Sequence, residues 1–253
     1  MFDLKAYMSE LDANGIHFLN EMLTQYIAGK IIKPGNTVYD LGANIGFHTR
    51  YFASLTGNAG MVHAFEPNFE LWANLMALPG VRLWPLAIGD RTSVENFFLP
   101  IGLDQVGSLV DARDFLGDVP VKILSVSQVR IDDLKEVIGV PVSFVKIDVE
   151  RREYFALNGM LETLKNYEPV LIFENNTADT QHLLEGIGYT VEAMLSDFQD
   201  VRSLPNVIAF PNRMAKTIRE ILPSDTDIVP IAEKIEAMLA ANLPGYQAKL
   251  IQA

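Results

Sequence analysis

Three acidic side chains sit in or just after short apolar runs that have the composition of buried β-strands. Asp40 lies in Thr37–Leu41, Glu66 follows Met61–Phe65, and Asp148 lies in Val142–Glu150. In a parallel α/β sheet, ligands gather beyond the carboxyl ends of the strands. Carboxylates on that rim can accept hydrogen bonds from hydroxyls, hold a cation or take up a proton. A further run, Val170 to Phe173, opens into Glu174-Asn175-Asn176 and brings another acid and two amides to the same rim. Side chains alternate along a strand, so Lys146, Asp148 and Glu150 share one face. A lysine inside a central strand is costly unless paired. Asp40, on a neighbouring strand, is one candidate partner.

The segment Thr37 to Thr49 reads as strand, glycine-bearing turn and helix start. Such a unit can hold a nucleotide-like ligand, because glycines let the ligand approach the backbone and the helix offers unpaired N–H groups. Gly42 is followed by Gly46, with Asn44 where a dinucleotide fingerprint needs its middle glycine. No Gly-Lys-Ser/Thr follows, which argues against a phosphate loop. A carboxylate before the loop favours a nucleoside with a cationic or zwitterionic tail, and S-adenosylmethionine fits that description. The plainer alternative is a turn that needs its glycines only for its own geometry. Glu66, 26 residues after Asp40, is placed to accept both hydrogen bonds of a ribose diol. The loop around Ala87, after the third strand (Val81 to Ile88), is expected near the adenine.

Composition narrows the function classes. The chain has 253 residues, 49% of them hydrophobic, enough for a substantial core. A net charge of −12 argues against general nucleic-acid binding. There is no cysteine, so disulfides, thiolate chemistry and Cys-based zinc sites are excluded. No secretory leader or membrane-length apolar run is read, and a cytoplasmic protein acting on a small molecule is expected.

The elements that must position these groups follow in order. Residues 4–33 read as a helix with Leu11, Phe18, Met22, Leu23, Tyr26 and Ile27 largely on one face. It is expected to pack on the sheet edge; the other reading is a lid over the crevice. Residues 91–130 break the strand–helix rhythm, with strands at Glu95–Leu99 and Val121–Arg130, and are expected to shape the substrate site. The last two strands, Tyr189–Leu195 and Val207–Phe210, suit an antiparallel hairpin edge. A Pro/Asp linker precedes a terminal helix at Ile231–Ala241. The expected division is a helical cap (1–35), a ligand-binding sheet domain (36–212) and a C-terminal helical extension (213–253).

The stretches Val-Tyr-Asp-Leu-Gly-Ala-Asn-Ile-Gly (38–46), His-Ala-Phe-Glu-Pro (63–67), Ala-Ile-Gly-Asp (87–90), Gly-Ser-Leu (107–109), Ile-Asp-Asp-Leu (131–134), Val-Lys-Ile-Asp-Val-Glu (145–150) and Pro-Val-Leu-Ile-Phe-Glu (169–174) occur in that order. This series resembles the FkbM family of methyltransferases. The resemblance implies a Rossmann-like class I methyltransferase fold: an α/β sheet of seven strands whose last pair forms a hairpin edge, with helices on both faces. It also implies S-adenosylmethionine as cofactor and O-methylation of a natural-product or sugar hydroxyl. By motif match, Asp40, Gly42, Ala43, Asn44 and Gly46 would hold the methionine end and Glu66 the ribose. The family pattern continues Asp-Val-Glu with Gly-x-Glu. Here Arg151 stands in place of that glycine, while Glu153 keeps the acid. The loop is therefore expected to be rebuilt, with Arg151 or Arg152 either contacting an anionic substrate or simply solvated.

A hydroxyl acceptor needs a base or a metal. Asp148 is the first candidate for base or orienter, and His48 the second. A metal version would place Mg²⁺ among Asp148, Glu174 and Asn175, an all-oxygen set similar to that of catechol-type O-methyltransferases. Two rival functions remain open at this level. One is an NAD(P)-dependent Rossmann oxidoreductase, against which the missing glycine argues. The other is a non-catalytic S-adenosylmethionine binder, supported only by Arg151.

Overall fold

The computed structural model describes residues 11, 13–102, 107–174, 176–195 and 206–242. Its centre is a seven-stranded sheet in the order β3-β2-β1-β7-β8-β10-β9. The strands are β1 (Thr37–Leu41), β2 (Met61–Phe65), β3 (Val81–Trp84), β7 (Phe144–Ile147), β8 (Val170–Glu174), β9 (Tyr189–Ala193) and β10 (Asn206–Pro211). β10 runs antiparallel between β8 and β9, and the other pairings are parallel. The expected sheet is therefore present, with β9 at the edge. The chain leaves β1 towards β2 and β3, then returns to β7 on the other side of β1. That reversal makes the β1/β7 boundary the switch point where such sheets bind ligands.

Buried strands alternate between two faces. One face carries Val38, Phe144, Ile172, Ile208 and Phe210, covered by α1 (Ala13–Ile31) through Leu19, Leu23 and Ile27 and by α2 (Phe47–Thr56) through Phe52. The other carries Tyr39, Leu41, Val145, Ile147, Leu171 and Phe173. It is packed by α6 (Glu153–Asn158), α7 (Leu161–Tyr167) and α8 (Ala178–Glu185), which contribute Ala156, Leu157, Leu164 and Leu184. Side chains such as Leu23, Phe52 and Phe144 are fully buried, and each contributes roughly 1.5–3 kcal/mol by leaving water.

The third strand is not continuous through Ile88. Pro85 cannot donate to the ladder, and Leu86 N–H donates to Trp84 O at 2.8 Å in a tight turn. Ala87–Ile88 becomes β4 of a second, three-stranded sheet with β5 (Ser93–Pro100) and β6 (Val121–Val129), in the order β4-β6-β5. Phe97, Leu99 and Val126 form its own small core with Ala87. The expected Pro/Asp linker is also corrected. Ser224 N–H and Oγ–H both donate to Asp227 Oδ2, and this cap starts α10 (Asp225–Asn242) ahead of Pro230. Tyr26 O–H donates to Asp227 Oδ1 at 2.9 Å and ties α10 to α1.

The loop after β1 is fixed against β7. Gly42 has φ +82°, and a Cβ there would lie 1.8 Å from the Asp148 carbonyl oxygen. The glycine thus serves the contact between two strand ends as well as lining the crevice. Gly42→Ala is expected to lower stability by roughly 3 kcal/mol, combining left-handed backbone strain with overpacking. Gly35→Ala, at φ +89° with nothing within 4 Å, is expected to cost only about 1–2 kcal/mol. Denaturant midpoints of the two variants would separate packing from backbone strain.

Candidate functional site

Along the α1-covered face, each strand turns from apolar to polar as it nears the rim. Val38 is followed by Asp40, Phe144 by Lys146 and Asp148, and Ile172 by Glu174; in antiparallel β10, Asn206 precedes Ile208. These polar ends bound a cavity of about 690 Å³. Asp40, Gly42, Ala43, Asn44, His48, Glu66, Ala87, Asp148 and Glu174 all line it. Gly46 does not; it lies on a shallow surface groove beside α2. Asn175 lies outside the described residues.

Asp40 is 1% exposed and faces Lys146 across the β1/β7 ladder. Its Oδ2 accepts from Thr49 Oγ–H at 2.6 Å, while the buried Oδ1 has no hydrogen-bond partner among the described residues. Burial pushes its pKa up against the pull of Lys146. Lys146 itself is 3% exposed, and its Nζ donates to Asp148 Oδ2 at 2.8 Å. The direct partner of the strand lysine is therefore on its own strand, two residues along, and not Asp40 as expected; that geometry follows from the shared face. Lys146 remains cationic: Asp148, Asp40 and Glu21 together outweigh its burial and raise its pKa.

Asp148 is held below the usual carboxylate range, since Lys146 outweighs burial. Glu174, which shares a hydrogen bond with Asp148, is pushed up by burial and by the Asp148 charge. One ionised and one protonated carboxyl is the arrangement that two acids in contact adopt. Among the described residues, no group of three or more His, Cys, Asp or Glu side chains is arranged to hold a metal ion.

Glu66 accepts from Asn44 N–H at 2.8 Å on Oε2 and from Asn68 N–H at 2.7 Å on Oε1. It is 5% exposed, and burial lifts its pKa to about 7 despite those two donors. Each carboxylate oxygen keeps a second lone pair. Asn44, at φ 52°, is the turn residue whose N–H this carboxylate fixes.

His48 is 5% exposed, stacks on Phe52 at 5.7 Å, and places Nε2 2.8 Å from Glu21 Oε2. Burial alone would raise the Glu21 pKa, but the His48 contact lowers it. Glu21 belongs to α1, and so do His17, Phe18 and Asn20, which also line the cavity. α1 is thus a wall of the site rather than an edge helix. The signal for this was present: Asn20 and Thr24, one turn apart, interrupt the buried stripe of Leu19, Leu23 and Ile27. Asn20 Oδ1 accepts from Asn206 N–H, and Thr24 Oγ1 from Asn206 Nδ2–H, each at 3.3 Å. Asn206, also on the cavity wall, had no local motif to mark it.

The second sheet closes another side with Phe97, Leu99, Gly107 and Leu109. Ser108, 1% exposed, donates through Oγ to the Glu150 carbonyl at 2.7 Å. Glu150 and Arg151 have φ 52° and 72°. The loop after β7 therefore has a left-handed backbone with arginine in it. Burial, then the Asp148 and Glu153 charges, lift the Glu150 pKa to about 7. Glu153 is 2% exposed, and burial lifts it to about 8.

A family model described as "Methyltransferase FkbM domain" matches residues 40–205. A search of curated proteins returned no match. Among solved structures, the chain is similar to methyltransferase FkbM from Methylobacillus flagellatus KT (TM-score 0.46, 15% identity), over 72% of this chain and 48% of that one. It is also similar to a putative rRNA-methylase from Clostridium thermocellum (TM-score 0.45, 16% identity; 75% and 93% of the two chains). A SAM-dependent O-methyltransferase from Thermotoga maritima matches with TM-score 0.39 and 13% identity, over 79% and 66%. The chain spans less than half the length of the Methylobacillus protein.

Glu66, Glu150 and Glu153 bind a proton more tightly folded than unfolded. Their stabilising contribution is complete below the ordinary carboxylate pKa near 4.5 and is lost as pH rises through about 7 to 8. Urea midpoints of the ligand-free protein are expected to fall across that window. Glu153→Gln is expected to flatten the fall, and an unchanged slope would remove Glu153 as a cause.

Proposed function

The chain belongs to the FkbM methyltransferase family, and we propose that it transfers the methyl group of S-adenosylmethionine to a hydroxyl of a small molecule. The observation that carries the cofactor is Asp40 Oδ1, a buried acceptor on the wall of the cavity with no hydrogen-bond partner among the described residues. An orphaned carboxylate oxygen is expensive unless a ligand donor or cation completes it. The donor set fits the cofactor at both ends. Asp40, with Gly42, Ala43, Asn44 and Gly46 forming the turn, holds the cationic methionine end. Glu66 offers one remaining lone pair on each oxygen to the ribose diol, and Ala87 borders the adenine. When bound, the cofactor supplies a methyl on a positively charged sulfur, which an oxygen nucleophile displaces in line.

The chain's own groups must then hold the acceptor oxygen near that methyl, exclude water, and receive the hydroxyl proton. Asp148 is ionised, lies at the β7 end and is oriented by Lys146, so it serves as orienter or base. His48, backed by Glu21, is the second proton acceptor on the same wall. Phe97, Leu99 and Leu109 supply the apolar side that excludes water. The polar rim groups and the apolar side together support an acceptor body that carries hydroxyls.

Calorimetric titration with S-adenosylmethionine and S-adenosylhomocysteine tests the cofactor. Asp40→Ala and Glu66→Ala are each expected to weaken binding about tenfold or more, as loss of a charge-assisted hydrogen bond does. Ribose donors favour ionised Glu66, so affinity should rise from about pH 6 to about pH 8, with proton release on binding. Folded protein that binds neither ligand would sink this reading.

A further inference from the structure

The loop after β7 holds a feature that cofactor binding does not use. Arg151 and Arg152 both line the cavity. Arg151 adopts φ 72°, a conformation that costs a residue with a Cβ roughly 1–2 kcal/mol. Strain of this kind persists where the surroundings enforce it, and it collects at ligand sites. The enforcing contact is visible: Ser108, bridged to Phe98 of the second sheet, donates to the carbonyl of Glu150, immediately before Arg151. Arg152 is braced differently. Its guanidinium lies 3.8 Å over the Phe155 ring, and its Nε is buried without a hydrogen-bond partner among the described residues. Burial lowers the pKa of Arg152 against the opposing pull of Asp90. A partly buried guanidinium with an unfilled donor is half of a charge-assisted pair.

We propose that Arg151 and Arg152 form an anion-recognition wall that binds a carboxylate or phosphate group carried by the acceptor. Only the assignment of that anion to the methyl acceptor rests on the methyl-transfer reading; the anion site itself stands on the geometry of the loop. The wall explains why a strained arginine is kept where glycine would be more stable. It also gives the second sheet a defined role, since Ser108 sets the backbone from which both arginines project. The acceptor then carries hydroxyls toward Asp148 and an acidic group toward the loop.

The test is calorimetry with inorganic phosphate and with succinate, against chloride of matched ionic strength. It is run on the protein alone and on the protein saturated with S-adenosylhomocysteine. Wild type is expected to bind at least one of the two anions at a single site. Which anion binds distinguishes a phosphate from a carboxylate acceptor. Arg151→Gly and Arg152→Gln are each expected to weaken that binding about tenfold or more, with S-adenosylhomocysteine affinity unchanged. Ser108→Ala should weaken it without removing either arginine. Arg151→Gly is also expected to unfold at higher denaturant than wild type, so its loss of anion binding cannot be ascribed to misfolding. Binding of neither anion by wild type, or equal binding in the arginine variants, would overturn the proposal. Arginine-dependent anion binding without S-adenosylhomocysteine binding would instead overturn the cofactor reading and leave the anion wall standing.

Discussion

A buried ammonium organises this molecule. Lys146 sits in a central strand at 3% exposure, and a charge there is tolerable only if counter-charges surround it. Asp148 supplies the direct contact, while Asp40 from the next strand and Glu21 from the covering helix supply the rest. That requirement draws together groups from β1, β7 and α1 that would otherwise repel. It also explains why the sheet face changes character partway along each strand. The half of the strand away from the rim buries Val38, Phe144 and Ile172 against α1, and the half toward the rim carries paired charge. The cavity opens where apolar packing ends.

The backbone around that charge is over-determined. The Asp148 carbonyl occupies the space where Gly42 has no side chain, so the turn after β1 and the end of β7 are locked at one separation. Glu66 fixes the same turn from the other side through Asn44 N–H. The loop that follows β7 is in turn held by Ser108, which is bridged to Phe98 of the second sheet. Contacts from Glu66 and Ser108, far apart in sequence, thus fix the two adjoining loops after β1 and β7.

Much of this was legible in the sequence, for identifiable reasons. Strand alternation placed Lys146 and Asp148 on one face, and the Gly42–Gly46 spacing marked the turn. Acids that end apolar runs read directly as rim groups. What escaped was set by long-range packing. The stop at Pro85 moved Ala87 into another sheet, and the Ser224–Asp227 cap turned an apparent linker into helix. Asn206 and Glu21 reach the cavity only because β10 inserts between β8 and β9 and α1 crosses the sheet face. The left-handed backbone at Arg151 also lay beyond local rules, because the hydrogen bond that braces it comes from residue 108.

The wall contributed by α1 lies wholly before Asp40, where the family match begins. Its buried stripe, Leu19, Leu23 and Ile27, answers to the sheet and is constrained by packing density. His17, Phe18, Asn20 and Glu21 sit on the neighbouring arc of the same helix and answer to the cavity. A single helix therefore carries two arcs, one packed on the core and one lining the cavity. Substitutions at His17 or Phe18 would therefore reshape the cavity wall with the helix still seated on the sheet, whereas Glu21 is bound to the Lys146 charge and answers to both.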